Sequence, residues 1–211
     1  IEAAIHNCAR IQNFTEEEQR FIESFSQQLA PLMSESTKNR FQRLFESIKG
    51  KIGFYRKLSV HPSALSRLTR IAETSEMLWN YLLNHLELLE QLDNSTMEIS
   101  VEKWTDQLEE NIHSCAENEE EEIDQLRQFK HTTTFLLGSA EMEGVLSYER
   151  TRIALTLLAE VIVQAAFRLS QKWLTQRYGK VLNSMDESGQ FAIIGLGKLG
   201  GRELTYHSDL D

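Results

Sequence analysis

The sequence predicts a mainly α-helical protein, a helical bundle that leads into the first strands of an α/β domain. Only two prolines, Pro31 and Pro62, interrupt the first 189 residues, where leucine, glutamate and glutamine are abundant. That composition favours helices. The last stretch differs, because a short apolar run there is followed by a cluster of glycines. We therefore predict a helical region over residues 1–182 and the start of an α/β domain over residues 183–211.

Capping residues precede apolar residues at helical spacing throughout the helical region. Gly179 is a natural terminator for the last long helix, and a loop is expected over Asn183–Gly189. The acidic run Glu117–Glu122 is expected to form a solvated first helical turn, where carboxylates suit the positive end of the helix dipole. The predicted helices run over about 15–30, from Ser34 or Ser36 through Ile48, from His61-Pro62-Ser63 through Ile71, from Met77 to Leu92, from Ser100 through Ile112, from Ile123 to about Glu143, and from Ser147 to Gly179.

Composition limits the classes of function. With 22 basic and 32 acidic residues, the chain has a net charge of −10, which argues against a nucleic acid or an anionic membrane as the main partner. No uninterrupted apolar run approaches the roughly 18 residues that span a bilayer, so no membrane-spanning helix is expected. Two distant cysteines, Cys8 and Cys115, indicate reduced thiols and a cytoplasmic setting. Because the chain starts at Ile1 and stops at Asp211 inside a motif, we expect a fragment of a longer protein.

The last twenty-one residues carry the candidate chemistry. The apolar run Phe191–Ile194 predicts a buried strand, and Gly195-Leu-Gly197-Lys198-Leu-Gly200-Gly201 follows it. Glycines leave backbone N–H groups uncovered and tolerate positive φ, so this turn could contact phosphate oxygens. Asp209 and Asp211 alternate with Leu210 in an extended segment, which would place both carboxylates on one face, where they could hold one hard cation.

Other interpretations of this pattern remain open on spacing alone. The glycine spacing fits the G-x-G-x-x-G dinucleotide fingerprint, but that fingerprint needs a βαβ unit and an acidic residue about twenty positions later. A P-loop is excluded, because no Gly-Lys-Ser/Thr occurs in the segment. A turn that joins two strands without a ligand is the third interpretation.

A family resemblance favours the phosphate interpretation. The pattern Gly195-Leu-Gly-Lys-Leu-Gly-Gly-x-Glu203-Leu-x-x-x-Ser208-Asp-x-Asp211 resembles the nucleotidyltransferase signature of the glutamine synthetase adenylyltransferases, also called glutamate-ammonia ligase adenylyltransferases. These large bifunctional bacterial enzymes contain two DNA polymerase β-like catalytic modules. The segments Leu126–Lys130 and Trp173–Gly179 resemble helices that precede this signature in the family. The resemblance runs from about Phe41 to Asp211 and is strongest at the end.

The resemblance implies a reaction and a set of site residues. AMP would be transferred from ATP to a tyrosine of glutamine synthetase, with pyrophosphate released, in a Mg²⁺-dependent reaction. Lys198 could alternatively form a structural ion pair with Glu203. The implied catalytic and metal-binding residues are Asp209 and Asp211, and the implied nucleotide-binding residues are Gly197, Lys198, Gly200, Gly201, Arg202 and Ser208.

The resemblance also leaves alternatives. The long helical region before the signature favours the C-terminal, adenylylating half of the family's enzymes, while the other half removes AMP by phosphorolysis and carries a nearly identical signature. A third metal carboxylate of the family comes from a later strand, so we expect the 211-residue chain to be inactive on its own. A different class of function is a helical docking module for glutamine synthetase or a nitrogen-regulatory PII protein.

Overall fold

The computed structural model describes residues 20, 34–48, 53, 61–93, 98–115, 118–182, 189–206 and 208. Within these residues the regular structure is helical, so the prediction of a mainly helical protein is confirmed. The helix predicted over about 15–30 and most of the loop predicted over 183–189 lie outside them. The helices are α1 (Glu35–Ser47), α2 (Pro62–Thr74), α3 (Glu76–Asn84), a 3₁₀ helix (Leu86–Asp93), α4 (Val101–His113), α5 (Glu119–Met142), α6 (Tyr148–Tyr178) and α7 (Gly197–Gly200).

Serine side chains begin four of these helices. Ser34, Ser75, Ser100 and Ser147 each accept a hydrogen bond from the backbone N–H three residues later, at 3.2–3.3 Å. Such a bond satisfies a donor that has no partner inside the helix. The caps predicted at Ser34, Ser100 and Ser147 are confirmed, and Ser75 is a further cap that divides the predicted Met77–Leu92 region from α2.

The described residues form two compact units. The first lies within Ile1–Thr96 and also contains Gly138–Met142, the last turn of α5. Its core contains aromatic side chains: the Phe41 ring lies 5.7 Å from Phe45 and 5.6 Å from Trp79, measured between ring centroids. Apolar residues of α1, α2, α3 and the 3₁₀ helix complete it. The most buried of these are Leu44, Ile48, Leu68, Ile71 and Leu82.

The second unit lies within Met97–Leu137 and Glu143–Asp211. Helix α6 packs against α4, and buried residues such as Leu158, Val161 and Ala165 lie along it. The helix ends at Gly179, whose φ of +83° is a left-handed conformation that favours glycine. The predicted terminator is therefore confirmed. The proposed division into domains at residue 182 stays a prediction.

Charged groups connect the helices of the second unit. The Glu122 carboxylate in the first turn of α5 is buried, and it accepts hydrogen bonds from Lys172 Nζ at 2.8 Å and Trp173 Nε1 at 2.7 Å. Arg177 donates to Glu119 at 2.7 Å. The acidic run was expected to be solvated, and for Glu122 that expectation is wrong. The reason is that α6, fifty residues later in the chain, covers this side of the turn.

Helix α6 also corrects an expectation about apolar length. By length and composition alone it could cross a membrane, although no such segment was expected, and 44% of its apolar window is buried inside the structure. Its charged residues Arg168 and Lys172 form ion pairs with Glu109 and Glu122 within the second unit. A core helix can have the same length and composition, and these contacts fit that description.

The strand predicted at Phe191–Ile194 is not formed in the described part of the chain. Residues 191–194 are exposed, and Ile194 reaches 79% exposure. The ring of Phe191 lies 5.8 Å from that of Phe167 on α6. A strand requires a hydrogen-bonded neighbour, and the described residues supply none for this segment. Apolar composition alone did not reveal this, because pairing depends on residues elsewhere in a chain.

Candidate functional site

The glycine-rich segment folds into a tight turn, here called the glycine turn (Gly195–Glu203). The turn contains the four-residue helix α7, and Gly197 begins it with a φ of +56°. Its N–H groups bond back along the turn: Gly200 to Leu196 O at 3.2 Å and Gly201 to Gly197 O at 2.9 Å. The Glu203 N–H closes the turn on Lys198 O at 2.8 Å. The segment is thus a compact hydrogen-bonded unit.

Two of its glycines are explained by backbone geometry. A Cβ at Gly200 would lie 2.5 Å from the backbone oxygen of Gly195, which is closer than real Cβ contacts. Gly197 has open space around it, but its positive φ is one that other residues rarely adopt. The amides of Gly200 and Gly201, which the sequence suggested for phosphate contact, already donate to carbonyls of the turn. Glycine at these positions therefore accounts first for the tightness of the turn.

Lys198 is the cation that the turn presents to solvent. The residue is exposed, and its ammonium makes no ion pair among the residues that the structure describes. Its link to Glu203 runs through the backbone, because the Lys198 carbonyl accepts the Glu203 N–H. The alternative of a Lys198–Glu203 ion pair is not what the structure contains.

Arg202 and Glu203 instead pair with side chains of α6. Arg202 Nη2 lies 3.8 Å from Glu160 Oε1, and Arg152 Nη2 lies 3.5 Å from Glu203 Oε2. Next to them Leu204 is buried at 5% exposure. Arg202, predicted to bind nucleotide, therefore has a protein partner in this structure.

Ser208 closes a second turn after Leu204. Its hydroxyl oxygen accepts the Thr205 N–H at 2.9 Å and lies 3.1 Å from Thr205 Oγ1, while its own N–H donates to Thr205 O at 3.0 Å. The serine is half-buried. These bonds hold Ser208 close to the start of its turn, and its hydroxyl can donate to another acceptor when Thr205 Oγ1 is the donor in the contact between the two hydroxyls.

The predicted metal carboxylates lie outside the described residues. These are Asp209 and Asp211, and the neighbouring His207 lies outside the described residues as well. Among the residues that are described, no cluster of three or more His, Cys, Asp or Glu side chains could hold a metal. The carboxylate pair remains the metal site that the sequence predicts.

Arg152 and Glu160 are the residues near the turn that sequence reasoning missed. Both lie on α6, far from the motif in the sequence, and no local pattern marks them. Helical periodicity places a charge on a face but does not say which distant segment will cover that face. Only packing of the turn on α6 brings the four charged side chains together.

The described structure defines a mainly helical protein with a glycine-rich turn packed against a long helix. The sequence profile of the glutamate-ammonia ligase adenylyltransferase family matches residues 65–211. The chain therefore belongs to this family, and the resemblance inferred from the signature is confirmed.

Two curated relatives carry the same name, bifunctional glutamine synthetase adenylyltransferase/adenylyl-removing enzyme. The protein from Vibrio parahaemolyticus is 34% identical over 179 residues, covering 82% of this chain and 19% of the relative. The protein from Chromobacterium violaceum is 32% identical over 181 residues, covering 84% of this chain and 20% of the relative. The chain thus spans about a fifth of the length of these relatives.

Proposed function

We propose that this chain is part of a nucleotidyltransferase that moves AMP from ATP to a tyrosine of glutamine synthetase in the cytoplasm. The observation that carries the proposal is the family match, which includes the glycine turn and continues to residue 211. The names of the relatives include both adenylyl transfer and adenylyl removal. We assign the chain to the adenylylating half, because a long helical region precedes the signature.

The reaction requires charge neutralisation along a triphosphate. The tyrosine hydroxyl oxygen would attack the α-phosphorus of ATP and release its proton to solvent, while the bond from that phosphorus to the oxygen that leads to the β-phosphate breaks and pyrophosphate leaves. Lys198, which the turn presents to solvent without an ion pair among the described residues, suits the role of balancing phosphate charge. Gly197, where a Cβ would meet open space, would let a phosphate approach the backbone closely, while Gly200 and Gly201 would keep the turn tight enough to present that surface.

The donor set of the signature fits Mg²⁺. Asp209 and Asp211 supply carboxylate oxygens, which Mg²⁺ prefers, together with oxygens of the nucleotide phosphates. When bound, the ion would stabilise charge that develops on the phosphate oxygens. Ser208 lies next to this pair, and when Thr205 Oγ1 is the donor in the contact between the two hydroxyls, the single hydroxyl hydrogen of Ser208 can be donated to a phosphate.

The test uses a longer protein that contains residues 1–211 and continues as the relatives do. It is incubated with glutamine synthetase, Mg²⁺ and ATP labelled at the α-phosphate. We expect label on a tyrosine in the unchanged protein and none with Asp209→Asn. Asp106→Asn, the same change at an exposed position of α4, is the matched control and should transfer label normally.

Two other outcomes would contradict parts of the proposal. If no label is transferred, but adenylylated glutamine synthetase loses AMP when phosphate is added, the chain belongs to the adenylyl-removing half. In the second outcome, the longer protein binds glutamine synthetase or a PII protein and shows no Mg²⁺-dependent binding of ATP. That result would favour a docking module over an enzyme. The acidic charge of the chain would suit a docking surface with basic partners.

A further inference from the structure

Two ion pairs join the glycine turn to α6, and their order along the helix bears on the direction in which the turn lies. Arg152 lies near the start of α6, and Glu160 lies about 12 Å further along, at 1.5 Å per residue. The turn brings Glu203 to Arg152 and Arg202 to Glu160. If the turn lay in the opposite direction along α6, arginine would face arginine and glutamate would face glutamate. The charges therefore favour one direction of the turn on the helix.

The environment of Arg152 supports a positioning role. Its side chain is 29% exposed, and the guanidinium carbon lies 5.7 Å from the centroid of the Tyr148 ring. Its Nε is buried and has no hydrogen-bond partner among the described residues. The Nη2 atom of the same guanidinium faces Glu203 Oε2 at 3.5 Å. Loss of the Glu203 carboxylate would leave the cation with less compensation.

The backbone of Arg202 supports the same conclusion. Its φ of +54° is left-handed, a conformation that residues other than glycine rarely adopt. The chain uses glycine at four other positions of this turn but arginine here. Arginine at this position provides a cation that glycine would lack, and in the structure that cation contacts Glu160.

We propose that Arg152 and Glu160 are positioning residues that hold the glycine turn on α6 in one direction, through Glu203 and Arg202. They set where Lys198 is presented to the nucleotide phosphates, and this consequence rests on the proposed function. Neither residue contacts the phosphates itself. Leu204, directly after the two charged residues, is buried at 5% exposure, so the chain next to the ion pairs is covered by protein.

The first experiment measures hydrogen exchange in the 211-residue chain. The amides of Gly200, Gly201, Arg202 and Glu203 all donate inside the turn, so their exchange reports opening of the turn. Arg152→Glu is expected to speed their exchange about two- to five-fold, the range for partly exposed ion pairs. The double change Arg152→Glu with Glu203→Arg is expected to restore slow exchange, because the pair re-forms with its charges exchanged.

The control is Arg150→Glu, which reverses an exposed charge on the same helix and should leave the turn unchanged. Exchange of buried α6 amides around Leu158 tests whether each variant is folded, and Arg152→Lys keeps the charge if Arg152→Glu does not fold. Two results would overturn the proposal: unchanged exchange of the four amides in Arg152→Glu, or exchange in the double variant that is no slower than in Arg152→Glu.

A second experiment uses the longer protein and ATP. Arg152→Glu is expected to raise KM for ATP about two- to five-fold with a smaller change in kcat. The double variant Arg152→Glu with Glu203→Arg should return KM to its original value. If the unchanged protein does not bind ATP at all, the proposed function fails, while the exchange experiment still decides whether the turn is held as inferred. If ATP binds normally in every variant although the turn opens, the link to Lys198 is refuted.

Discussion

At the scale of single residues, Gly200 is the position of the glycine turn with the least room for a side chain. Its hydrogen points at the backbone oxygen of Gly195, where a Cβ would come within 2.5 Å. We predict that Gly200→Ala forces the backbone apart and destabilises the turn by about 1–3 kcal/mol. Hydrogen exchange of the turn amides would measure this. The control is Gly53→Ala, since a Cβ there meets open space, and turn amides unchanged by Gly200→Ala would show that the prediction is wrong.

Lys198 supports a second prediction at this scale. Because its ammonium is exposed and has no ion pair among the described residues, Lys198→Ala should not alter folding. In the longer protein it should weaken ATP binding about tenfold or more, the loss expected for one charge-assisted hydrogen bond. Titration calorimetry would test this, with Lys180→Ala as the control at another exposed lysine. Equal loss in both variants would indicate a general charge effect instead.

At the scale of helices, the buried Glu122 links the start of α5 to α6. Its carboxylate accepts hydrogen bonds from Lys172 and Trp173, and its side chain is only 2% exposed. We predict that Glu122→Gln destabilises the protein by about 1–3 kcal/mol, because the amide cannot accept at both positions and the charge-assisted hydrogen bond from Lys172 to a carboxylate is lost. Urea unfolding would measure the change in free energy.

The same turn of α5 offers a matched control. Glu120 is exposed, so Glu120→Gln should change stability by less than about 0.5 kcal/mol. Similar losses in the two variants would mean that helix-dipole effects in the first turn dominate over the buried contact. The contrast between neighbouring glutamates follows from α6, which covers one of them and leaves the other in water.

An N-terminal cap supports a prediction that depends only on local structure. The Ser147 hydroxyl accepts the Arg150 N–H at 3.3 Å at the start of α6. Ser147→Ala should cost about 1 kcal/mol, whereas Ser147→Asp should keep the cap. Thermal unfolding of both variants would test this, and equal melting temperatures for alanine and aspartate would contradict it.

Helix positions could be predicted because their signals are local. The Ser34, Ser100 and Ser147 caps and the glycine after Tyr178 act within one turn of the residues they affect. The strand at Phe191–Ile194 was predicted from apolar composition, and it is not formed in the described structure. A strand depends on a neighbour that lies elsewhere in the chain, so composition could not decide it.

At the scale of the whole molecule, the chain spans about a fifth of the relatives whose names describe adenylyl transfer and removal. We predict that the 211-residue chain transfers no AMP by itself, because the family resemblance implies a further metal carboxylate outside it. Incubation of this chain with glutamine synthetase, Mg²⁺ and labelled ATP would test the prediction. Detectable label on glutamine synthetase would disprove it, and the longer protein serves as the positive control.

The candidate site was predictable in its residue types but not in its contacts. The signature identified Gly197, Lys198, Gly200 and Gly201 as one segment, and the structure shows that they form a single turn. The signature did not reveal that the Arg202 side chain forms an ion pair with Glu160. Nor did it distinguish glycines that tighten a turn from glycines that expose amides.

The sequence by itself determined the helical class, most helix boundaries and the family, because periodicity, caps and signatures act over short distances along the chain. Only the tertiary structure decided that Glu122 is buried, that Ile194 is exposed, and that Arg152 and Glu160 meet the glycine turn. Burial and ion pairing depend on which distant segments pack together. Packing of a segment many residues away leaves no local pattern at the positions it covers.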